Sequence, residues 1–241
     1  MKIDYPAPQQ LSQLRQLWQS AFHDDDAYMD MFFEVAFASD RCRCVTQDGQ
    51  VAAALYWFDC RLEGRPIAYL FAVATGKKFR RQGLCRRLME DTHRLLKELG
   101  YCGSVLVPGD VGLFAMYFSM GYLTCSNIST FRCDRGGVPA KLRPLEPAEY
   151  AALRRQYLPE GGVIQENEAL ALLKGGLYAG EDFLYADGQE LLGNTDAAPA
   201  ILAALGRNSD TFRTPGNDRP FAMFRAIGGT KPPKYFGLAL D

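Results

Sequence analysis

The stretch Tyr69 to Arg87, YLFAVATGKKFRRQGLCRR, changes character in its middle. Its first seven residues are aromatic, aliphatic or β-branched and predict a largely buried strand. Gly76 begins a basic run, and Gly83 leaves room for a ligand to approach the backbone. From Leu84 onward the apolar residues recur at helical spacing and predict a buried stripe of Leu84, Leu88, Leu95 and Leu99. The stretch therefore predicts a strand, a basic turn and the start of an amphipathic helix.

The basic turn predicts an anion-binding site. A helix N-terminus offers free backbone N–H groups and the positive end of the helix dipole. The cationic side chains around it are Lys77, Lys78, Arg80, Arg81, Arg86 and Arg87. The motif Arg80-x-x-Gly83-x-Cys85 has neither the lysine and hydroxyl of a Walker loop nor the three glycines of a Rossmann turn. We therefore expect a phosphorylated ligand, bound by a motif that differs from both of these common nucleotide-binding motifs.

The same motif resembles the Arg/Gln-x-x-Gly-x-Gly/Ala signature of the GNAT acyltransferases, which bind the pyrophosphate of acetyl-coenzyme A. Further along, LFAMYFSMGY at 113–122 resembles the GNAT helix that carries a tyrosine and is followed by Gly-Phe or Gly-Tyr. Tyr117 falls on that tyrosine. The two motifs occur in the order, and on the predicted elements, that the family would require, so each strengthens the resemblance. The resemblance covers about residues 1–134.

The resemblance implies the GNAT fold, an α/β (α+β) arrangement in which helices flank a mixed, mostly antiparallel sheet. The predicted order of elements agrees with it. Amphipathic helices are expected at 9–21 and 25–37, strands at 41–47 and 51–61 around an Asp48-Gly49 turn, a strand at 101–107 and a helix at 111–120.

A second unit is expected after the first. The segment GGVPAKLRP at 136–144 is typical of a linker. We therefore expect a GNAT domain at 1–134 and a smaller α/β domain at 135–241. Helices are predicted at 146–158, 165–174 and 196–205, and strands at 182–185, 190–192, 210–214, 220–226 and 235–240. This GNAT-like half lacks an Arg-x-x-Gly loop, so it is expected to shape the acceptor pocket or mediate association without a cofactor of its own.

The composition of the chain argues against several classes of function. The 241 residues are 48% hydrophobic and 23% charged, which is typical of a globular protein. A net charge of −1 argues against general nucleic-acid binding. No leader or membrane-spanning run is evident, so we expect a cytoplasmic protein without a membrane partner. Seven scattered cysteines indicate reduced thiols, and Cys42-x-Cys44 favours one face of a core strand over a metal half-site.

The resemblance also implies a mechanism without a metal. An acceptor amine attacks the thioester of acetyl-coenzyme A in a cleft between the fourth and fifth strands, and Tyr117 acts as general acid toward the departing thiolate. A tyrosine beside Phe114 and Phe118 is also typical of a core or interface residue. The cofactor-binding residues implied are Val73, Thr75, Arg80, Arg81, Gln82, Gly83, Leu84, Cys85 and Arg86.

The base that deprotonates the amine is left open. The acidic run at the start of the second helix, with His23 before it, supplies either the base or helix caps; its members are Asp24, Asp25 and Asp26. His93 is expected at the surface. The ending at 238–241 resembles chain ends that some two-domain relatives direct into the active site, which makes Asp241 a second catalytic candidate. A terminal strand that completes a sheet is the alternative.

Two positions depart from the family pattern. Cys85 replaces Gly or Ala, and the helix N-terminus and arginines are expected to lower its pKa, unless it is simply a buried thiol. Asp110 stands where many relatives carry Asn; it can cap the next helix, but its charge puts a pantetheine contact in doubt. The main expectation is an amine N-acetyltransferase acting on a small-molecule or peptide amine, with a second copy of the chain as a further partner. The alternatives are an inactive acyl-coenzyme A binding or sensing module and a scaffold that binds no cofactor.

Overall fold

The computed structural model describes residues 1–240. The chain begins with strand β1 (Lys2–Asp4), helices α1 (Leu11–Phe22) and α2 (Asp26–Met31), and a π-helical turn at Phe32–Ala36. Next come strands β2 (Cys42–Gln47), β3 (Gln50–Leu62) and β4 (Arg65–Thr75). They are followed by α3 (Leu84–Glu98), β5 (Gly103–Leu106), α4 (Val111–Phe118) and β6 (Leu123–Asp134).

The rest of the chain consists of shorter elements. They are β7 (Arg143–Pro144), α5 (Pro147–Tyr157), β8 (Ile164–Gln165), a 3-10 turn at Glu168–Leu172, β9 (Leu177–Ala179), β10 (Phe183–Ala186), β11 (Glu190–Gly193), α6 (Ala198–Ala204), β12 (Ser209–Pro215) and β13 (Arg219–Ala226). None of the helices in this described part is long and apolar enough to cross a membrane.

Two sheets organise these elements. The larger has the strand order β1-β2-β3-β4-β5-β13-β6-β12, with β8 added beside β3, and the smaller has the order β11-β10-β9-β7. Most neighbours are antiparallel, and β4 and β5 form a parallel pair. The predicted class, a mixed and mostly antiparallel sheet flanked by helices, is therefore confirmed.

Strand β3 shows how the sequence builds a core on both faces of the sheet. Successive side chains on a strand point to opposite faces. Tyr56 and Phe58 accordingly pack on the side of α1 and α2, whereas Leu55 and Trp57 pack on the side of α3. Cys42 and Cys44 of β2 are both buried on the α1 side, as their spacing predicts.

Hydrogen bonding in the larger sheet crosses the predicted boundary at residue 134. Strand β13 lies between β5 and β6 and pairs with both. Strand β12 extends the sheet beyond β6, with Ser209 opposite Asp134. The contact is close, since a Cβ added at Gly103 would lie 2.1 Å from the Phe224 ring. Strands from both predicted domains thus share one sheet.

Two predicted elements of the second half are wrong. Residues 165–174 do not form an α-helix, because Gln165 pairs with Cys60 of β3 and Asn167 caps a short 3-10 turn. Residues 235–240 are buried but do not form a named strand. Their backbone is bound largely by side chains: Gln165 accepts from the N–H of Leu238, and the Tyr69 hydroxyl accepts from the N–H of Leu240. Tertiary partners override the local pattern in both segments.

Candidate active site

A bulge in β4 opens a cleft between β4 and β5. The register against β3 shifts where two residues of β4, Ala72 and Val73, lie opposite Leu55. Ala72 has a φ of 47°, a left-handed conformation that costs a non-glycine residue free energy. Pairing with β5 is limited to Ala68 with Ser104 and Tyr69 with Val105. Beyond Tyr69 the two strands separate, as a bulge that re-aims a strand permits.

The separation leaves one edge of β4 facing the cleft. The N–H of Gly76 donates to the carbonyl of Ala52 at 2.9 Å, so Gly76 faces β3. Backbone groups alternate sides along a strand, which places those of Val73 and Thr75 on the cleft side. The carbonyl of Thr75 accepts a hydrogen bond from Arg80 Nε at 3.1 Å. The two positions expected to bind a pantetheine arm thus have main-chain groups directed at the cleft.

The basic turn closes one end of this cleft. Arg81 and Gly83 have φ values of 63° and 73°, and helix α3 begins immediately afterward at Leu84. Among residues 1–240 no side chain caps this first turn. A Cβ added at Gly83 would meet nothing within 4 Å, so there is open space in front of the backbone. The turn therefore presents helix N–H groups to an accessible site.

The side chains of the turn have divided roles. Arg80 folds back onto Thr75, and Gln82 donates to the carbonyl of Lys78 at 3.3 Å. Arg86 reaches the end of α4 and binds both the carbonyl and the hydroxyl of Ser119, at 2.9 and 2.8 Å. These contacts fix the turn and join α3 to α4. Arg81 is exposed at the entrance of the groove.

Two adjoining cavities lie along the cleft. The donor groove has a volume of about 820 Å³ and runs along the basic turn, where Thr75, Gly83 and Cys85 are among its lining residues. The inner pocket has a volume of about 270 Å³ and lies among α1, the start of α2, β4 and α4. Both cavities are lined by Phe22, Val73, Gly109, Leu113 and Tyr117.

Tyr117 stands where the two cavities meet. Its side chain is 6% exposed and packs edge-to-face on Tyr122, with 5.8 Å between ring centroids. Burial raises the pKa of the Tyr117 phenol well above its ordinary value, and the nearby Cys85 and Asp110 add to the shift. The phenol is therefore protonated at neutral pH and can donate a proton. Asp110 caps α4 by accepting from the N–H of Leu113 at 3.1 Å.

The predicted lowering of the Cys85 pKa is wrong. Burial is the largest influence and raises the pKa of this thiol, while the Arg86 charge acts in the opposite direction and is outweighed. A buried thiol is disfavoured as a thiolate because its charge would lose hydration. Cys85 therefore lines the groove as a protonated thiol.

The predicted surface position of His93 is also wrong. The side chain is 6% exposed, and its Nε2 lies 2.8 Å from the Ser104 hydroxyl and 2.9 Å from the Tyr122 hydroxyl. Arg225 donates to Nδ1 at 3.0 Å. Burial, followed by the Arg225 charge, lowers the pKa of His93 to about 3. His93 is thus a neutral, buried residue that packs against Tyr122.

The candidates for the base separate into different environments. Asp25 caps α2, because its Oδ1 accepts from the N–H of Tyr28 at 2.7 Å. Asp24 lines the inner pocket, whereas His23 and Asp26 are exposed and do not. Asp241 lies outside the described residues, and the chain before it, at Ala239 and Leu240, lines the inner pocket.

Two lining residues of the inner pocket had no signal in the sequence. Lys174 is the last residue of the segment predicted as a helix at 165–174, and nothing there indicates a binding role, yet it borders the pocket beside Asp24. Tyr69 lies in a predicted strand, but only the fold reveals that its hydroxyl meets the chain end. Contacts between distant segments of chain create this pocket, and local patterns do not encode them.

Comparison with known proteins agrees with this architecture. A family model described as an acetyltransferase (GNAT) domain matches residues 2–125. None of the curated proteins matches the sequence significantly.

Several solved structures share the fold. A GCN5-related N-acetyltransferase from Anabaena variabilis is 16% identical with a TM-score of 0.70, over 93% of this chain and 72% of its own. One from Kribbella flavida is 17% identical with a TM-score of 0.67, over 93% and 70%. A probable N-acyltransferase of unknown function from Enterococcus faecalis is 16% identical with a TM-score of 0.66, over 94% and 72%. Because the family match spans more than half of the chain, the protein belongs to the GNAT acetyltransferase family.

Proposed function

We propose that the protein transfers an acetyl group from acetyl-coenzyme A to an amine. The observation that carries the proposal is that Tyr117 lines both the donor groove at the basic turn and the inner pocket. A donor bound along the groove would have its reactive end at the same residue that an acceptor in the inner pocket would reach. Family membership supports the same reaction class.

The residues along the groove fit a coenzyme A molecule. The uncapped first turn of α3, around Leu84 and Cys85, offers converging N–H groups for a pyrophosphate, and the open space at Gly83 admits it. Arg81 adds an exposed positive charge. The cleft-facing backbone of Val73 and Thr75 would bind the amides of the pantetheine arm as an added strand. Arg80, Gln82 and Arg86 hold the turn in shape.

The transfer we propose needs no covalent enzyme intermediate. The nitrogen of a neutral amine forms a bond to the thioester carbonyl carbon, and the bond from that carbon to sulfur breaks. The Tyr117 hydroxyl gives its proton to the departing sulfur and recovers one from solvent, while the acylated nitrogen loses its extra proton. The position of Tyr117 in the walls of both cavities supports this assignment.

We propose that the C-terminal half shapes the acceptor site. It contributes Lys174, Ala239 and Leu240 to the inner pocket, and β13 stabilises β5 at the cleft wall. The turn and the donor groove come entirely from the first half. The first half thus binds the donor, and both halves form the acceptor site.

Titration calorimetry and a coenzyme A release assay test the proposal together. We expect one molecule of coenzyme A to bind per chain, and acetyl-coenzyme A to release free thiol only when a suitable amine is present. Heat of binding without release under a broad amine panel would favour an inactive binding module. Absence of heat would favour a scaffold without a cofactor.

A matched pair of glycine variants separates loss of binding from loss of folding. Gly83 and Gly64 both have positive φ, 73° and 78°, and open space where a Cβ would be. Both substitutions to alanine therefore impose similar backbone strain. We expect Gly83→Ala to weaken coenzyme A binding about tenfold or more and Gly64→Ala to leave it unchanged.

A further inference from the structure

The inner pocket has an unusual combination of lining residues. Aromatic and aliphatic side chains form most of its wall, including Trp18, Tyr28 and Phe71. Among residues 1–240 its charged lining residues are Asp24 and Lys174. Its volume of about 270 Å³ lies below the roughly 300–1,000 Å³ of pockets that hold drug-sized ligands. The pocket is therefore suited to a small molecule that is largely apolar.

Asp24 is held by a buried donor. Its Oδ2 accepts a hydrogen bond from Trp18 Nε1 at 2.9 Å. The Trp18 ring is 2% exposed and packs against Phe32 and Phe71, with centroids 4.5 and 5.3 Å away. An indole fixed in this way cannot follow a moving carboxylate. Asp24 thus presents its second oxygen to the pocket in a set orientation.

Lys174 places an ammonium against that second oxygen. Its Nζ lies 3.5 Å from Asp24 Oδ1 and 4.4 Å from the centroid of the Tyr28 ring. A carboxylate and an aromatic face together form a cation site. The Lys174 side chain is 60% exposed, so water screens the ion pair and the pair contributes little to stability. The lysine can leave for water without a large cost.

We propose, on the basis of the acetyltransferase function proposed above, that the acceptor is a small apolar monoamine whose ammonium replaces that of Lys174. Its charge is bound by Asp24 and the face of Tyr28 before the proton is lost and the amine attacks. Its aliphatic or aromatic body packs on the pocket wall. A diamine or polyamine is disfavoured because, among residues 1–240, the pocket wall has no second carboxylate to pair with its other ammonium.

Direct binding tests the pocket without requiring turnover. Amines are titrated calorimetrically into the full chain saturated with coenzyme A. We expect 3-methylbutylamine and 2-phenylethylamine to bind at least about tenfold more tightly than 1,4-diaminobutane and than 3-methylbutanol, which keeps the shape but lacks the charge.

Four variants test whether Asp24 and Lys174 contact the amine site. Asp24→Asn should weaken amine binding about tenfold or more, and Lys174→Met should strengthen it several-fold because the competing ammonium is gone. The matched controls Asp26→Asn and Lys141→Met change the same charges at exposed positions outside the pocket and should have no effect. None of the four should alter the coenzyme A dissociation constant.

The outcomes separate this inference from the function on which it rests. Equal or tighter binding of the diamine, no binding of either monoamine, or weaker binding by Lys174→Met would overturn the pocket assignment. Acetyl transfer to diamines or peptides alone would also overturn it while leaving the acetyltransferase function intact. The expected binding pattern without any acetyl transfer would support the pocket assignment and contradict the proposed reaction.

Discussion

Tyr117 is the residue on which the proposed chemistry depends most directly. Replacing it with phenylalanine keeps the ring that packs on Tyr122 and removes only the proton donor. We expect Tyr117→Phe to lower kcat by about 10- to 1,000-fold with a nearly unchanged dissociation constant for acetyl-coenzyme A. Steady-state kinetics and calorimetry measure the two quantities separately.

Tyr122→Phe is the matched control for that variant. It also removes one phenolic hydroxyl from the same cluster, but Tyr122 lines neither cavity and bonds to Ser104 and His93 in the core. We expect it to lower stability while kcat changes by less than about threefold. A Tyr117→Phe enzyme with wild-type turnover would remove the general-acid assignment.

His93 predicts a specific dependence of stability on pH. Its pKa is about 3 in the folded protein, below the value of 6.5 expected in the unfolded chain. Between these values the unfolded state binds more protons, so the stability contribution is complete above pH 6.5 and is lost as pH falls toward 3. At pH 5 the loss amounts to ~2 kcal/mol. Urea unfolding at pH 7.5 and pH 5 measures it.

The variant His93→Gln isolates this contribution, because glutamine does not titrate. Its free energy of unfolding should fall by about 2 kcal/mol less than that of the wild type between pH 7.5 and pH 5. Parallel pH profiles for the two proteins would contradict the assignment of His93 as a buried neutral imidazole.

Helix α3 shows why the apolar pattern wrongly predicts a surface position for His93. The predicted apolar stripe includes Leu95 and Leu99, but Leu99 is 51% exposed. The helix buries Leu84 and Leu88 as predicted, but its buried face continues through Met89, His93 and Leu96. Both stripes have helical spacing, so periodicity alone does not choose between them. A periodicity analysis treats histidine as polar, so His93 argues against burial of its own helix face. In the structure, core residues provide hydrogen-bond partners for its ring nitrogens.

The cleft between β4 and β5 could also be predicted only in part from local sequence patterns. The strand, the basic turn and the helix are all readable from residues 69–87, because each has its own composition. The bulge is not readable, since Ala72 carries no signal for a φ of 47°. Packing against β3 and the departure of β5 impose this conformation. Resemblance to a family predicted the open cleft, whereas local residue preference did not.

For the whole molecule, the decisive feature is the return of the chain into the larger sheet. Locally, residues 210–214 and 220–226 read as strands, and the structure has β12 and β13 there. Their partners lie far away along the chain, and Pro- and Gly-rich composition at 136–144 indicated a boundary instead. Sequence patterns identify strands well but contain little information on non-local pairing.

This topology predicts that residues 1–134 do not fold alone. Without β12 and β13, strand β5 keeps only its short pairing with β4, and both edges of β6 have unpaired backbone groups. Met223 and Phe224 would also be lost from the two cores of the sheet. We expect the 1–134 fragment to be aggregated or to lack a cooperative unfolding transition, and not to bind coenzyme A.

The intact chain and a complementation experiment provide the controls. In the full chain, far-UV circular dichroism and tryptophan fluorescence should report coincident urea transitions, because Trp18 and Trp57 lie in the two cores joined by the same sheet. Co-expression of residues 135–241 as a separate chain should restore a soluble complex that binds coenzyme A, since β13 can then occupy its place between β5 and β6. A 1–134 fragment that unfolds cooperatively and binds coenzyme A unaided would instead establish it as an independent domain.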